Sequence, residues 1–225
     1  MAAGVFPHPP ALVPEVTGRR SGELDALRAS CERAVEHVFR HDPDLVAVVG
    51  GDDRTASYRP PVAGTLRPHG IDLTFGDGKP ELPLSLTIGR WLLGDHADQV
   101  PLQYESLAWE LPTRDCAALG REIADRAPRT ALIAVGDGSA CRDEEAAGYY
   151  HPDAQQEDDR TAAALDTGDP VELLALEPGT AARLLIAGRP AWQVLAGASE
   201  GGPREAQLLD YQAPYGVGYF VASWR

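Results

Sequence analysis

Four polar side chains follow short apolar runs of the sequence and could do chemistry there. His8 follows the first run and Asp137 the last, while Asp52 and Asp53 follow the run between them. An imidazole placed beside carboxylates can hold a divalent metal ion or move a proton. These residue types therefore predict a metal or acid–base site, provided that the fold brings the ends of the three runs together.

The apolar runs themselves predict β-strands. Residues 45–49 and 131–135 are uninterrupted and aliphatic, which is typical of strands covered on both faces. Residues 4–6 form a shorter run that prolines stop. Because helical segments separate these strands, the sequence predicts an α/β fold with a mostly parallel central sheet and helices on both faces. Ligands bind such a sheet outside the carboxyl ends of its strands, where we expect the four side chains to converge.

The other segments are assigned from periodicity and turn signals. Helices are predicted at residues 21–41, 84–93, 113–126, 157–165, 171–176, 180–186 and 191–198, and terminal strands at 206–210 and 217–224. Residues 54–78 predict a loop rich in proline, arginine and glycine, and residues 100–103 and 106–109 predict two short strands at a sheet edge. The acidic residues 153–159 predict a solvated face.

Length, charge and cysteine content limit the classes of protein to which this chain can belong. The 225 residues, with no linker, predict a single domain over 1–225. A net charge of −14 opposes binding to nucleic acid or to an anionic membrane surface, and no window is apolar enough to span a bilayer. Three cysteines without a CxxC pair predict reduced thiols and a cytoplasmic protein.

Four segments resemble the β-chain-like domain of class III extradiol ring-cleavage dioxygenases, the superfamily of the protocatechuate dioxygenase β-chain. They are Phe6-Pro7-His8-Pro9-Pro10, Pro68-His69-Gly70, Gly136-Asp137-Gly138-Ser139 and the stretch from Asp210 to Tyr219, which is the most specific. The resemblance covers nearly the whole chain in order and spacing. It implies an α/β fold with a non-haem ferrous site of two histidines and one glutamate, open to a catechol-like substrate and dioxygen.

The residues depart from that family at two positions. Ala140 and its neighbours stand where relatives carry an acid–base histidine, and Gln212 stands at the glutamate of the terminal segment. His8 matches the first metal-binding histidine. His69 or one of Asp52 and Asp53 is expected to supply the second ligand, and the sequence does not choose among them. Asp137 and Gln212 are the candidates for a catalytic role.

Each candidate also has a structural interpretation. His8 could satisfy backbone groups in a turn, and an aspartate after glycine often caps a helix or forms a turn. Gln212 could orient a neighbouring residue rather than bind a metal ion. Gly216 and Gly218 are interpreted as positions of close packing rather than of phosphate binding.

Three functions follow as hypotheses. The first is an extradiol dioxygenase-like protein with a degenerate site for Fe²⁺, or for Mn²⁺ or Zn²⁺. The second is a non-catalytic domain that binds a small molecule, such as an aromatic compound, or a protein on the same fold and without metal. The third is a metal-dependent hydrolase that uses His8 with the nearby aspartates, because carboxylates favour harder cations. A homo-oligomer is compatible with all three.

Overall fold

The computed structural model describes residues 1–146, 148–203 and 205–225, with the backbone alone at residues 19–21. Its ten strands are β1 (Ala2–Phe6), β2 (Leu45–Asp52), β3 (Ala56–Tyr58), β4 (Val62–Thr65), β5 (Thr74–Gly76), β6 (Lys79–Leu82), β7 (Leu102–Ala108), β8 (Thr130–Val135), β9 (Ala206–Gln212) and β10 (Tyr219–Trp224). Its α-helices are α1 (Pro14–Thr17), α2 (Asp25–Phe39), α3 (Leu84–Leu93), α4 (Thr113–Ala124), α5 (Ala154–Thr167), α6 (Pro170–Ala175), α7 (Pro178–Leu184) and α8 (Arg189–Ala198).

A seven-stranded sheet forms the centre of the molecule in the order β3-β7-β2-β8-β1-β10-β9. The four strands β7, β2, β8 and β1 are parallel to one another. The strand β3 pairs antiparallel with β7 at one edge, and β10 pairs antiparallel with both β1 and β9 towards the other. The structure thus confirms the predicted α/β fold with a mostly parallel sheet.

The two predicted central strands are buried on both faces. In β2, Val46 and Val48 face one hydrophobic core, whereas Ala47 and Val49 face the other. The strand β8 alternates in the same way, and its Ile133 faces the same core as Val46 and Val48. This alternation explains why both runs are apolar without interruption, since neither face of the sheet reaches water.

Helices cover both faces. The core that contains Val46 and Val48 lies under α2 and α3. The core that contains Ala47 and Val49 lies under α4, α5, α6, α7 and α8. The helices α4 and α8 approach closely because Gly120 and Gly197 each present no side chain to the backbone of the other helix. The described residues contain no helix that is both long and apolar enough to cross a membrane.

Three sequence predictions need correction. The segment predicted as a loop over residues 54–78 holds β3, β4 and β5, of which β4 and β5 join β6 in a separate three-stranded sheet. Residues 102–108 form one strand, β7, which lies inside the sheet between β3 and β2. The strand β2 continues through both glycines to Asp52, because all three residues keep parallel pairing with β7.

Candidate functional site

The candidate site is the crevice at the carboxyl ends of β1 and β8. The chain leaving β1 turns to the face covered by α2, whereas the chain leaving the adjacent β8 turns to the face covered by α5 and α8. Two neighbouring parallel strands whose connections diverge in this way leave a crevice between the connections, and α/β sheets bind their ligands there. His8 and Asp137 are the polar residues that follow β1 and β8.

His8 and Asp137 form a close pair in this crevice. The backbone N–H of His8 donates to Oδ1 of Asp137 at 2.7 Å, and the imidazole Nδ1 lies 3.3 Å from the same oxygen. The two side chains are 11% and 15% exposed. Nδ1 is buried and its contact with Asp137 is poorly directed for a hydrogen bond, so Asp137 attracts the ring mainly when the imidazole is protonated.

The second ring nitrogen of His8 is available to a ligand. Nε2 has no hydrogen-bond partner among the described residues, and it is not one of their fully buried unpaired atoms. Asp137 therefore holds the ring from the Nδ1 side while Nε2 is left to accept or donate a proton. A carboxylate commonly orients a histidine in this way, and it stabilises the imidazolium when a proton is taken up.

Electrostatics in the crevice follow from burial and from Asp137. Burial lowers the pKa of His8, but the charge of Asp137 and its close contact with Nδ1 together raise it by more, so that the pKa lies above 6.5. Burial raises the pKa of Tyr219, and Asp137 and Tyr215 add to the increase. Tyr219 is thus a neutral hydroxyl near the same carboxylate.

Asp52 and Asp53 lie at the same edge of the sheet but do not join the pair. Asp52 ends β2, which β8 separates from β1, and Asp53 follows it. Oδ1 of Asp53 accepts the indole N–H of Trp109 at 3.2 Å. Gly51 allows this arrangement, because a Cβ at its position would overlap the indole ring of Trp109. Asp53 therefore helps to fix an aromatic side chain at the end of β2.

His69 and Gln212 lie elsewhere. His69 is exposed at the end of a short 3₁₀ turn that follows β4, in the small sheet rather than at the edge of the central one. The side-chain amide of Gln212 donates to both carboxylate oxygens of Asp210, at 3.2 and 3.1 Å. The hydroxyl of Ser30 in α2 also donates to Asp210, so Gln212 belongs to a polar contact between β9 and α2.

The family's ferrous site does not fit the residues that the structure brings together. Such a site needs three protein ligands around one ion. Among the described residues, no group of three or more His, Cys, Asp and Glu side chains is placed to hold a metal ion. The crevice offers one imidazole and one carboxylate, and these two groups contact each other.

Sequence reasoning missed Asp158, which is buried in α5 although the acidic segment predicted a solvated face. Its carboxylate accepts the backbone N–H of Ser139 and a guanidinium N–H of Arg142, both at 2.8 Å. Burial raises the pKa of Asp158 to about 6, against the lowering effect of these two partners. Ala154, Asp158 and Leu165 are spaced to lie on one face of a helix, and this spacing could have predicted that Asp158 is buried.

Two glycines of the family-like segments accommodate Asp158. A Cβ at Gly138 or at Gly218 would overlap its carboxylate. The backbones of the two segments also bond to each other, with Gly138 N–H donating to Gly218 and Gly218 N–H donating to Ser139. The interpretation of Gly218 as a close-packing position is supported, and the joined segments lie beside Asp137.

Comparison with solved structures supports the fold. The structure is similar to the crystal structure of an uncharacterized protein from Escherichia coli K12, with a TM-score of 0.61 and 17% sequence identity. The similarity covers 99% of this chain and 98% of the other. No protein family model matches the sequence, and no curated protein is significantly similar to it. A likeness at this identity concerns the fold alone.

Proposed function

We propose that this chain is an extradiol dioxygenase-like protein that binds a small aromatic hydroxyl compound in its strand-end crevice through the His8–Asp137 pair. The observation that carries the proposal is the placement of this pair, with Nε2 of His8 unpartnered among the described residues, at the crevice between β1 and β8. The resemblance of the segments around His8, Asp137 and Tyr219 to the dioxygenase family supports a catechol-like ligand.

The chemistry of the pair suits a weakly acidic hydroxyl. Nε2 of His8 can accept a hydrogen bond or a proton from a phenolic O–H, and Asp137 stabilises the imidazolium that results. The imidazolium then faces a phenolate, so that the charge of the ligand is neutralised within the crevice. The role of Asp137 is to orient the ring and to stabilise its positive charge.

We do not expect this protein to hold the metal ion that the dioxygenase family uses. Since the described residues do not bring three metal ligands together, we expect the protein to retain Fe²⁺ at well below one ion per chain. Mn²⁺ and Zn²⁺ are expected to bind no better, because Asp53 is engaged with Trp109 and His69 lies away from the crevice. Ring cleavage of simple catechols is then slow or absent.

We also propose that the protein is cytoplasmic. The three cysteines are free and buried, which is compatible with a reducing cytoplasm. A small molecule, rather than nucleic acid or a membrane, is the proposed partner, and self-association is left open.

The test measures metal content and ligand binding on the same preparation. Protein purified anaerobically is analysed for metal, treated with chelator, and titrated with protocatechuate by calorimetry. We expect substoichiometric iron and ligand binding that survives chelation. His8→Gln should weaken binding at least about tenfold, since a hydrogen bond to a charged group contributes about 1.5–3 kcal/mol. Asp53→Asn is the matched control, because it alters a carboxylate at the same edge that does not contact His8.

Two results would contradict the proposal. Stoichiometric iron, with oxygen consumption and a yellow ring-opened product that His8→Ala abolishes, would identify an active ring-cleaving dioxygenase. Absence of binding at millimolar protocatechuate, or equal loss in Asp53→Asn and His8→Gln, would remove the ligand role of the pair.

A further inference from the structure

A cavity lies at the half of the sheet opposite His8 and Asp137. It has a volume of about 420 Å³ and opens between the start of β7, the helix α3 and the small sheet of β4 and β5. Leu102, which lines it, pairs with Val46 near the amino end of β2. The cavity is therefore independent of the crevice at the carboxyl ends, and its size is within the range of small-molecule sites.

Tyr104 supplies an unused polar group to this cavity. The residue is 1% exposed, and its hydroxyl has no hydrogen-bond partner among the described residues. That hydroxyl is nevertheless not one of the fully buried unpaired atoms, so it reaches the cavity that the residue lines. Burial raises the pKa of Tyr104 to about 12, with Arg90 opposing and Asp98 adding. The hydroxyl is a donor at neutral pH, and burying a donor without a partner is costly.

Arg90 places a positive charge on the wall of the same cavity. Its side chain is 15% exposed and makes two long contacts, to the carbonyl of Gly94 and to Asp98, both at 3.3 Å. The Asp98 side chain is 79% exposed, and an exposed ion pair of this kind contributes little. The guanidinium can therefore exchange this contact for a carboxylate that enters the cavity and also reaches Tyr104.

The rest of the lining divides into an apolar wall and an acidic mouth. Pro60, Pro61 and Pro101 supply rigid apolar surface. Asp77 and Asp98 are exposed lining residues, so their carboxylates stand towards solvent. A ligand with only a carboxylate would meet repulsion at this mouth, whereas one that also carries an ammonium group would be attracted.

We propose that this cavity binds a small zwitterion with an apolar body, of which an apolar α-amino acid is the simplest example. The carboxylate accepts hydrogen bonds from Tyr104 and Arg90, the ammonium group lies between Asp77 and Asp98, and the apolar side chain contacts the proline wall. The site requires nothing from His8 or Asp137, so it goes beyond the function proposed for the crevice.

Three matched probes test the zwitterion by calorimetry on the full chain. They are L-leucine, 4-methylpentanoate, which lacks the ammonium group, and 3-methylbutylamine, which lacks the carboxylate. We expect L-leucine to bind at least about tenfold more tightly than either of the others, since each lost charge removes a charge-assisted contact. Equal binding of L-leucine and 4-methylpentanoate, or no binding of L-leucine at millimolar concentration, would overturn the proposal.

Variants locate the binding site. Tyr104→Phe removes one hydroxyl while keeping the buried ring, and it should weaken L-leucine binding about tenfold. Asp98→Asn changes a residue that is 79% exposed, so the fold should tolerate it. It should weaken L-leucine binding while leaving 4-methylpentanoate binding unchanged or stronger. Tyr149→Phe, at a side chain on the surface, and His8→Gln are the controls and should bind like the wild type. Unchanged L-leucine binding in both Tyr104→Phe and Asp98→Asn would place any site elsewhere.

Discussion

At the scale of single residues, the crevice depends on the contact between His8 and Asp137 and on the groups that hold these two residues in place. His8 lies between two prolines directly after β1, and its own N–H is bound by Asp137, so the residue has little freedom to turn away. Asp137 is in turn fixed by the chain around it, since its carbonyl accepts the N–H of Gly188 at 2.8 Å. The pair is therefore preorganised before any ligand arrives.

The replacement Asp137→Asn should lower the pKa of His8. Asparagine keeps an oxygen for the N–H of His8 but loses the charge, so that burial alone then acts on the imidazole. NMR titration of the His8 ring should show a pKa above 6.5 in the wild type and a lower one in the variant. Asp53→Asn is the control and should leave the titration unchanged. A His8 pKa that is equal in wild type and Asp137→Asn would contradict the assignment of the pair.

The same pair makes stability depend on pH with a defined sign. The folded protein binds the His8 proton more tightly than the unfolded chain, so the stabilisation is fully present below pH 6.5 and is lost as pH rises through the higher folded pKa. Urea denaturation across that window should show a steeper loss in the wild type than in Asp137→Asn.

At the scale of elements, the face opposite α2 and α3 is built around the contact between α4 and α8. A Cβ at Gly120 would overlap the backbone of α8 at Val194 and Ala198, and one at Gly197 would overlap the backbone of α4 at Ala117. Backbone atoms cannot move aside as a flexible side chain can. These glycines set the distance between the helices, and α8 positions Gly188 and Arg189 behind the end of β8.

Gly120→Ala should destabilise the protein, because the added methyl group forces the two helices apart. Overpacking of this kind costs about 1–3 kcal/mol, which exceeds the gain of about 1 kcal/mol or less from the higher helix propensity of alanine. Gly179→Ala is the matched control in α7, where a Cβ meets no other atom within 4 Å, and it should be neutral or stabilising. Urea denaturation measures both. Equal effects of the two substitutions would show that α4 and α8 are not in close contact.

At the scale of the whole molecule, two cores enclose the sheet and all three thiols. Cys31 lies in the core under α2, whereas Cys116 and Cys141 lie in the other. Burial raises the pKa of each thiol, to about 11 for Cys116. Both chain ends also contribute strands to the sheet, where β1 pairs with β10. Unfolding of either end should therefore expose both cores.

The thiols should consequently report on global unfolding. In the native protein we expect all three to react slowly with an aromatic disulfide reagent, because each is buried and protonated. In denaturant all three should react at once, with the same midpoint as the loss of helix measured by circular dichroism. Fast reaction of one thiol in native buffer would show that one core opens separately.

Much of the fold could be predicted because it depends on local pattern. The aliphatic runs that become β2 and β8 and the periodicity that becomes α3 are contiguous signals that a window of the sequence contains. The small sheet of β4, β5 and β6 was missed, because its strands have three or four residues and contain prolines and glycines that favour loops. The strand β7 was predicted as two pieces because the charged Glu105 interrupts its apolar pattern. In the structure Glu105 is buried, and its partner Arg126 lies in a later segment of the chain.

The sequence by itself determined the class of fold, the burial of the central strands and the positions of His8 and Asp137 at strand ends. Only the tertiary structure decided which of the candidate residues meet. Strand order placed β8 between β1 and β2, and so joined Asp137 to His8 while separating both from Asp53. It also placed Gln212 against Asp210 and buried Asp158 beneath two glycines. The physical reason is that these contacts depend on how the sheet and helices assemble, and most of them join residues far apart in the chain.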